Sequence, residues 1–485
     1  MRLLNLFSEI LDGFFISFSI SIASCYLILA TVSFFALRRY MKRNSLTTFR
    51  RLVGYKLAPS VSLIAPAYNE GPTIIENIKS MLSLEYNNYN VIVVNDGSKD
   101  DTLTKVIKAF DLVRVPLFIN EKVETKKVRG VYKSQNKAFK KLIFVDKDNG
   151  GKSDALNAGI NISSSKLVTC IDVDCILEND ALQRMVKPFM EDARIIASGG
   201  TVRIANSCEV EHGRLVKVNL PKNQLARFQV LEYLRAFLLS RMAWSKLNGL
   251  LLISGAFGMF DRKLILEAGG YSTNTVGEDM ELVVRMRSLM VSKKRKFKIH
   301  MIPDPLCWTE GPSSNKVLGK QRNRWARGTI EVLLKHSNMF LNPKHKIGGI
   351  LSYTFWALFE WFAPILEVVG MSYFIFQILT GTISWYHFGA LLFMFYNFAI
   401  FLSCFTIYAE EISFHKYNKI SDLLKLLVTA LIEPIIYHPR VTYWSIKGNI
   451  DEIKGVKSWG EMKRDGFEDS SKLAEEPSKL TYELP

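Results

Sequence analysis

Two carboxylates one residue apart, Asp172 and Asp174, follow the apolar run Leu167 to Ile171. At a strand end the two-residue side-chain period points both the same way, and parallel carboxylates repel unless a cation sits between them and a ligand. Oxygen donors of this kind suit Mg²⁺ or Mn²⁺, which take one or two carboxylates and complete their shells with phosphate oxygens and water. Such triplets are also common in solvated loops. Gly150-Gly151-Lys152 precedes a helix start expected at Ser153. There, backbone amides and an ammonium group could meet a phosphate, or Ser153 could simply cap a glycine turn. Gly277-Glu278-Asp279 opens a helix running to Leu289. Acids in a first turn either complement the helix dipole or supply a general base that takes a proton from a hydroxyl nucleophile. In the segment Gln321 to Gly328, Gln321 shares a helical face with Arg324 and with Trp325, so a phosphate-binding cation and a flat aromatic platform can look into one cleft. The same helix could lie at a membrane surface, with Arg snorkelling and Trp at headgroup level.

These clusters need a scaffold that gathers loop ends. Val61 to Ala65, Val91 to Val94, Leu142 to Val145 and Leu167 to Ile171 are short apolar runs, and Thr73 to Leu82, Asp101 to Ala109 and Ser153 to Ile160 read as helices between them. That alternation predicts an α/β domain with a mostly parallel sheet and helices on both faces. Ligands bind such sheets beyond the carboxyl ends of the strands. The residues there are polar: Pro66-Ala67-Tyr68-Asn69-Glu70, Asn95-Asp96-Gly97-Ser98 and Asp172-Val173-Asp174. Val115 to Lys141 is basic and weakly periodic, and reads as an elaboration of a sheet edge.

The chain has 485 residues, 48% hydrophobic, with a mean hydropathy of +0.09. Collagen-like, low-complexity and wholly disordered chains are excluded, and apolar material is expected to be concentrated in membrane segments. Phe14 to Leu37 has no charged residue and is long enough to cross a hydrocarbon core of about 30 Å. Arg38, Arg39, Lys42, Arg43, Arg50 and Arg51 follow it, against a lone Arg2 before it, which places the N-terminus outside and the following chain in the cytoplasm. Two further spans are expected, Tyr353 to Leu379 and His387 to Tyr408, as a hairpin across Gly381 to Tyr386. Glu360 and Glu367 fall on one helical face of the first, lining a polar path or sitting near headgroups. Leu423 to Trp444 carries Glu433, Pro434, His438 and Arg440 and reads as re-entrant or interfacial. Leu225 to Trp244 reads as an amphipathic interfacial helix, with packing into a core as the alternative. The implied organisation is a transmembrane helix with basic flank over 1–41, a cytoplasmic α/β domain over 42–350, transmembrane or re-entrant helices over 351–447, and a cytoplasmic tail over 448–485, partly disordered from Asp469. Six cysteines without a CxxC pair suggest neither a disulfide framework nor a thiolate zinc site. The net charge of +17 fits anionic lipid, polyphosphate ligands or nucleic acid, and the clustering of basic residues at membrane boundaries argues against nucleic acid.

Taken in order, these motifs resemble the family 2 membrane-bound processive glycosyltransferases that make hyaluronan, chitin, cellulose and poly-N-acetylglucosamine, the last most closely. The resemblance spans about Ser62 to Arg327. It implies a GT-A fold, Rossmann-like with a mostly parallel sheet, sitting in the cytoplasm on interfacial and transmembrane helices of a multi-pass inner-membrane protein. It also implies a UDP-sugar donor, UDP-GlcNAc first, a growing glycan or lipid acceptor, surrounding membrane lipids, room for a small accessory membrane subunit, and Mn²⁺ or Mg²⁺ as cofactor. By position, Ala67, Tyr68 and Glu70 would border the nucleoside, and Asp96 would bind the uracil or ribose. Lys152 would face the donor, Asp172 would sit by the ribose and diphosphate, and Asp174 would hold the cation. Asp279, with Glu278 beside it, matches the catalytic base that ends the family's acidic motif. Gln321, Arg324 and Trp325 match QxxRW, with Gln and Arg on the diphosphate and Trp as acceptor platform. Ser254 and Gly255 stand where the family contacts the acceptor.

Three departures matter: Asn95 where Asp is common, Gly277 where Thr is frequent, and one N-terminal span where these synthases tend to have two. The third bears on whether a translocation channel is complete. The implied function is an inverting transfer that extends, and exports, a β-linked polysaccharide. A non-processive transferase adding one sugar to a lipid or short acceptor shares the motifs, and a catalytically silent nucleotide-binding membrane sensor would share the pocket. Retention of Asp279 together with Gln321, Arg324 and Trp325 argues against the sensor.

Overall fold

The computed structural model describes residues 2–44, 58–116, 121–211 and 213–456. Arg50, Arg51 and the tail from residue 457 lie outside the described residues. From the N-terminus the elements are α1 (Arg2–Asn44), β1 (Val61–Ala67), α2 (Ile74–Leu82), β2 (Tyr89–Asp96), α3 (Thr102–Ala109), β3 (Leu112–Val115), β4 (Val128–Ser134), β5 (Leu142–Lys147), α4 (Lys152–Ile162) and β6 (Leu167–Ile171). Next come β7 (Ile176–Leu177), α5 (Ala181–Glu191), β8 (Ile195–Ile204), β9 (Glu209–Glu211), β10 (Arg214–Lys217), α6 (Gln224–Leu234), a π-helical segment Arg235–Arg241, and α7 (Met242–Lys246). Then follow β11 (Phe257–Asp261), α8 (Arg262–Glu267), α9 (Glu278–Ser292), β12 (Lys298–Thr309) and α10 (Asn315–Lys335). The C-terminal helices are α11 (Ala363–Thr380), α12 (Trp385–Ser413), α13 (Ile420–Ile436) and α14 (His438–Ile453).

The four apolar runs form the parallel centre of the sheet, β5-β2-β1-β6, with α4 packed over β1 and β2. Strands buried by crossover helices need no polar face, which is why these runs are continuously apolar. The full order is β3-β4-β5-β2-β1-β6-β11-β8-β12-β7. β3 and β4 add antiparallel to β5, so the basic region after Val115 contributes to an edge as expected. β11 runs antiparallel to both β6 and β8, with Phe257 opposite Ile171. That reversal carries Ser254 and Gly255, which precede β11, to the end of the sheet where Asp172 leaves β6.

Among the described residues, three helices are long and apolar enough to cross a membrane: Glu9–Asn44, Ala363–Thr380 and Trp385–Ser413. Past Leu37, α1 docks on the α/β domain, where Tyr40 Oη bonds Asp304 and Asn44 Oδ1 accepts from Lys187 Nζ at 2.7 Å. α11 and α12 are joined by the turn 381–384, opened by Gly381 at φ 67°.

Three expectations need revision. Tyr353 to Leu379 is not one helix, because π-helical turns cover Gly348–Tyr353 and Trp356–Trp361 before regular helix resumes at Ala363 with Pro364 in its first turn. Proline lacks an N–H and is tolerated there rather than in a helix interior. Glu360 and Glu367 therefore lie on two segments with separate partners, not on one continuous face. Tyr26 Oη donates to Glu360 at 3.0 Å, whereas Glu367 accepts from Thr442 Oγ1 at 2.8 Å and lies 3.1 Å from His438 Nε2. Leu423 to Trp444, with no change to its re-entrant or interfacial reading, divides into α13 and α14 ahead of Pro439, with Glu433 turned inward to Arg235 at 2.9 Å. Leu225 to Trp244 is buried around its circumference rather than one-sided, because β8 lies against it on one flank and α1, α12 and α13 on others.

Candidate active site

The loops after β1 and β2 are tied together. Asn69 takes the left-handed conformation at φ 57°, which Asn tolerates better than most residues. Its N–H donates to Ser98 Oγ at 2.9 Å, and its Oδ1 accepts from Lys99 N–H at 2.8 Å. Glu70 N–H donates to Thr102 Oγ1 at 3.0 Å. These bonds leave Tyr68 exposed at the rim and Ala67 buried at the strand end.

Asp96 is buried and surrounded by this chain's own donors: Lys147 Nζ at 2.6 Å, Gly151 N–H at 2.7 Å, Gly150 N–H at 3.0 Å and Asn149 Nδ2 at 3.2 Å. Lys147, fully buried, also reaches Asp154 Oδ1 at 2.6 Å. A buried charge must be paired and hydrogen-bonded, and this carboxylate meets that need within the fold. The glycine amides expected at a phosphate thus hold Asp96, and α4 begins at Lys152, with Gly151 (φ 87°) rather than Ser153 before it. Lys147, Asn149 and Asp154 escape sequence reasoning. The one local signal is the charged pair Asp146-Lys147 closing an apolar strand. Asn95 also finds its reason here: its Nδ2 donates to buried Asp146 Oδ1 at 2.7 Å, where an Asp would face a second carboxylate.

Lys152 leaves the first turn of α4 toward the ends of β6 and β11. Its Nζ forms an ion pair with Asp172 and lies 3.9 Å from Glu278 Oε1. Burial alone would lower the Lys152 ammonium, but Asp172 and Glu278 outweigh it and hold the group above its ordinary range. Because β6 ends at Ile171, Asp172 and Asp174 lie in a turn rather than on a strand. Cys175 N–H donates to Asp172 O at 3.0 Å, and this turn brings both carboxylates and the Cys175 thiol within 4.8 Å of one another. The paired oxygens suit a hard divalent cation.

Glu278 and Asp279 begin α9 with different exposures. Glu278 is buried, and burial pushes its carboxyl up to about 7, with Lys152 pulling down, Asp279 pushing up and Arg324 pulling down. Asp279 is only half-buried. Its Oδ2 accepts Gly255 N–H at 3.1 Å and its Oδ1 accepts Met280 N–H at 2.8 Å. A Cβ on Gly255 would lie 3.3 Å from Lys152 Nζ and 3.5 Å from Asp279 Oδ2, so glycine lets the three groups converge. Ser254 adjoins them, its carbonyl accepting Phe257 N–H at 3.1 Å.

α10 is seated against this cluster by glycine. A Cβ at Gly277 would come 2.8 Å from Gly328 O, and one at Gly328 would come 2.8 Å from Gly277 Cα. Glu331 Oε2 reinforces the contact by accepting from Thr275 Oγ1 at 2.9 Å and Val276 N–H at 3.1 Å. Gly277 in place of a frequent Thr follows from this backbone approach. The seating lets the Arg324 charge act on Lys152 and Glu278. Gln321 Oε1 is buried without a hydrogen-bond partner among the described residues. Trp325 is 40% exposed, with the Arg322 guanidinium 4.1 Å from its ring centroid and held by Glu232 Oε2 at 2.7 Å. Lys152, Asp172, Asp174, Gly255, Glu278, Asp279 and Arg324 thus form one cluster, while Ala67, Tyr68 and Glu70 line an adjoining strand end and Asp96 sits within its buried pair.

This sheet order, with a carboxylate pair beyond β6 faced by an acid pair and a cationic helix, defines a GT-A glycosyltransferase. Residues 58–328 match the family described as Glycosyltransferase like family 2, and the chain belongs to that family. The poly-β-1,6-N-acetyl-D-glucosamine synthase of Staphylococcus epidermidis is 27% identical over 387 residues, covering 79% of this chain and 79% of its own. The synthase of the same name from Staphylococcus aureus is 28% identical over 276 residues, covering 57% of this chain and 56% of its own. Among solved structures, the mannosyltransferase PcManGT from Pyrobaculum calidifontis, in complex with GDP-Man and Mn²⁺, aligns at a TM-score of 0.48 with 17% identity, over 90% of this chain and 100% of its own.

Proposed function

We propose that this protein is a membrane-embedded inverting glycosyltransferase that moves GlcNAc from UDP-GlcNAc to the end of a growing β-linked polysaccharide. The activity named for its relatives supports the choice of sugar and product. The observation that carries the chemistry is Asp279, a half-buried carboxylate with Oδ2 on Gly255 N–H, beside the Lys152–Asp172 pair. Asp279 takes the proton of the acceptor hydroxyl. The freed oxygen bonds to the anomeric carbon as the bond from that carbon to the diphosphate oxygen breaks, and UDP leaves with the electron pair. Lys152 and Arg324 face the charge that builds on the leaving group, and Gln321 adds its side-chain amide. Ala67, Tyr68 and Glu70 border the nucleoside. Asp96 acts at one remove, fixing Gly150 and Gly151 and so the origin of Lys152. A divalent cation, Mn²⁺ or Mg²⁺, held by Asp174 with Asp172, would add positive charge against the diphosphate. Trp325, braced by Arg322, is the acceptor platform. Arg38, Arg39, Lys42 and Arg43 at the domain end of α1 support a cytoplasmic site, with α1, α11 and α12 as membrane spans.

The test is UDP release and product length from the purified protein with UDP-GlcNAc, with Mn²⁺ or with a chelator. Wild type should make polymer only with the metal, and Asp279→Asn should lose about 10²- to 10⁴-fold in rate while keeping donor affinity. Ordinary turnover by Asp279→Asn would remove that residue from its role. A short or lipid-linked product would replace the synthase with a single-addition transferase.

A further inference from the structure

Arg241 closes the π-helical segment Arg235–Arg241. Such segments recur at functional sites. The Arg241 guanidinium lies over the Phe237 ring at 4.1 Å, and its Nη1 is buried with no hydrogen-bond partner among the described residues. A buried, unsatisfied guanidinium N–H is costly and asks for an oxygen acceptor. Burial pushes Arg241 down to about 10, and the charges of Asp279, Tyr233 and Glu360, all within its electrostatic reach, draw it back.

The neighbours of each partner are also defined. Asp279 is faced by Gly255 N–H, Glu278, Tyr271 and Arg241, while Lys152, across Gly255, is committed to Asp172 and Glu278. Glu360 is faced by Tyr26 from α1, by Glu232 and by Arg241. The Arg241 charge thus acts on both the base and the first carboxylate of the membrane helices, while its buried Nη1 has no acceptor among the described residues.

The geometry points to Arg241 as an acceptor-binding residue, which donates Nη1 to an oxygen of the terminal sugar of the glycan chain on the membrane side of Asp279. This rests on the reading of Asp279 as general base. A polyhydroxylated chain end suits the site, because sugar hydroxyl oxygens accept from a guanidinium without bringing a charge that Glu360 and Asp279 would repel.

The experiment compares Arg241→Met, Arg241→Lys and Asp279→Asn in the full-length protein, with UDP-GlcNAc and an oligosaccharide of β-1,6-linked GlcNAc as primer. Arg241→Met should keep donor affinity and raise the primer KM by about tenfold or more, as expected for loss of a charged hydrogen bond. Arg241→Lys should recover much of the primer affinity. A wild-type primer KM in Arg241→Met would overturn the inference, as would loss of donor affinity, which would mark a purely structural residue. If Asp279→Asn turns over normally the base assignment fails first. If it is inactive while Arg241→Met is unaffected, only the role of Arg241 fails.

Discussion

Burial raises the Glu278 carboxyl to about 7, from an ordinary 4.5, against the pull of Lys152. Between those values the folded protein holds a proton that the unfolded chain has released. The stabilising contribution is therefore present below about 4.5 and is lost as pH rises to about 7. Glu278→Gln stays neutral throughout, so its melting temperature should lack the decline that wild type shows across this window. Melts of both proteins between about pH 5 and 7.5 check this, and an equal fall in both would assign the dependence to another group. The neighbouring Glu281 behaves oppositely. Burial pushes its carboxyl up, but His336 at 3.3 Å, Arg285 at 2.7 Å and Lys335 at 3.1 Å outweigh burial and hold it well below the carboxylate range.

Helices α9 and α10 are positioned by contacts at both ends of their overlap. Glu281 joins Lys335 and His336 at one end, and Gly277 meets Gly328 backbone to backbone at the other. The acid pair and the Gln321-Arg324-Trp325 face each belong to one of these helices, so their spacing sets the width of the cleft. Gly328→Val would overpack the contact at a cost of about 1–3 kcal/mol and push the helices apart. A displacement of about 1 Å in a site of this kind can cost about 10²-fold in rate. Turnover should therefore fall much further than stability does. Near-normal kcat in a folded Gly328→Val protein would show that the helix spacing does not limit the reaction.

The catalytic domain and the C-terminal helices are joined by buried ion pairs. Arg235 donates to both oxygens of Glu433 at 2.9 Å and to Ser403 Oγ at 2.6 Å, and Arg203 pairs with Glu410. Arg322 links the active-site helix to Glu232 at 2.7 Å and to the Tyr437 hydroxyl at 3.2 Å. Such pairs add little net stability over an apolar core, but removing one partner strands a charge. Glu433→Gln should destabilise the protein by about 3–5 kcal/mol, and Arg235→Met combined with Glu433→Met should recover most of that. Melting in detergent tests it, and a double variant as unstable as the single one would assign the loss to packing.

Strand and helix alternation is a local pattern, so the central strands, the helices between them and the apolar length of Phe14 to Leu37 were legible from residue order alone. So were the residues of the cluster, because Asp172, Asp174, Glu278, Asp279 and the Gln321 to Trp325 segment carry their chemistry in their own spacing. The break before Pro364 was written locally too, although the apolar run around it hides the break. Other features depend on groups far apart in sequence. Asp96 could be recognised as a polar strand end, but whether it faces a ligand or its own loop depends on Lys147, 51 residues away and fully buried. The approach of Gly277 to Gly328 and the action of the Arg241 charge on both Asp279 and Glu360 likewise arise only when distant elements pack. Local sequence determined which backbone segments form and which side chains could react. The tertiary structure decided which charges meet, because the partner of a buried charge is whatever the fold carries to it.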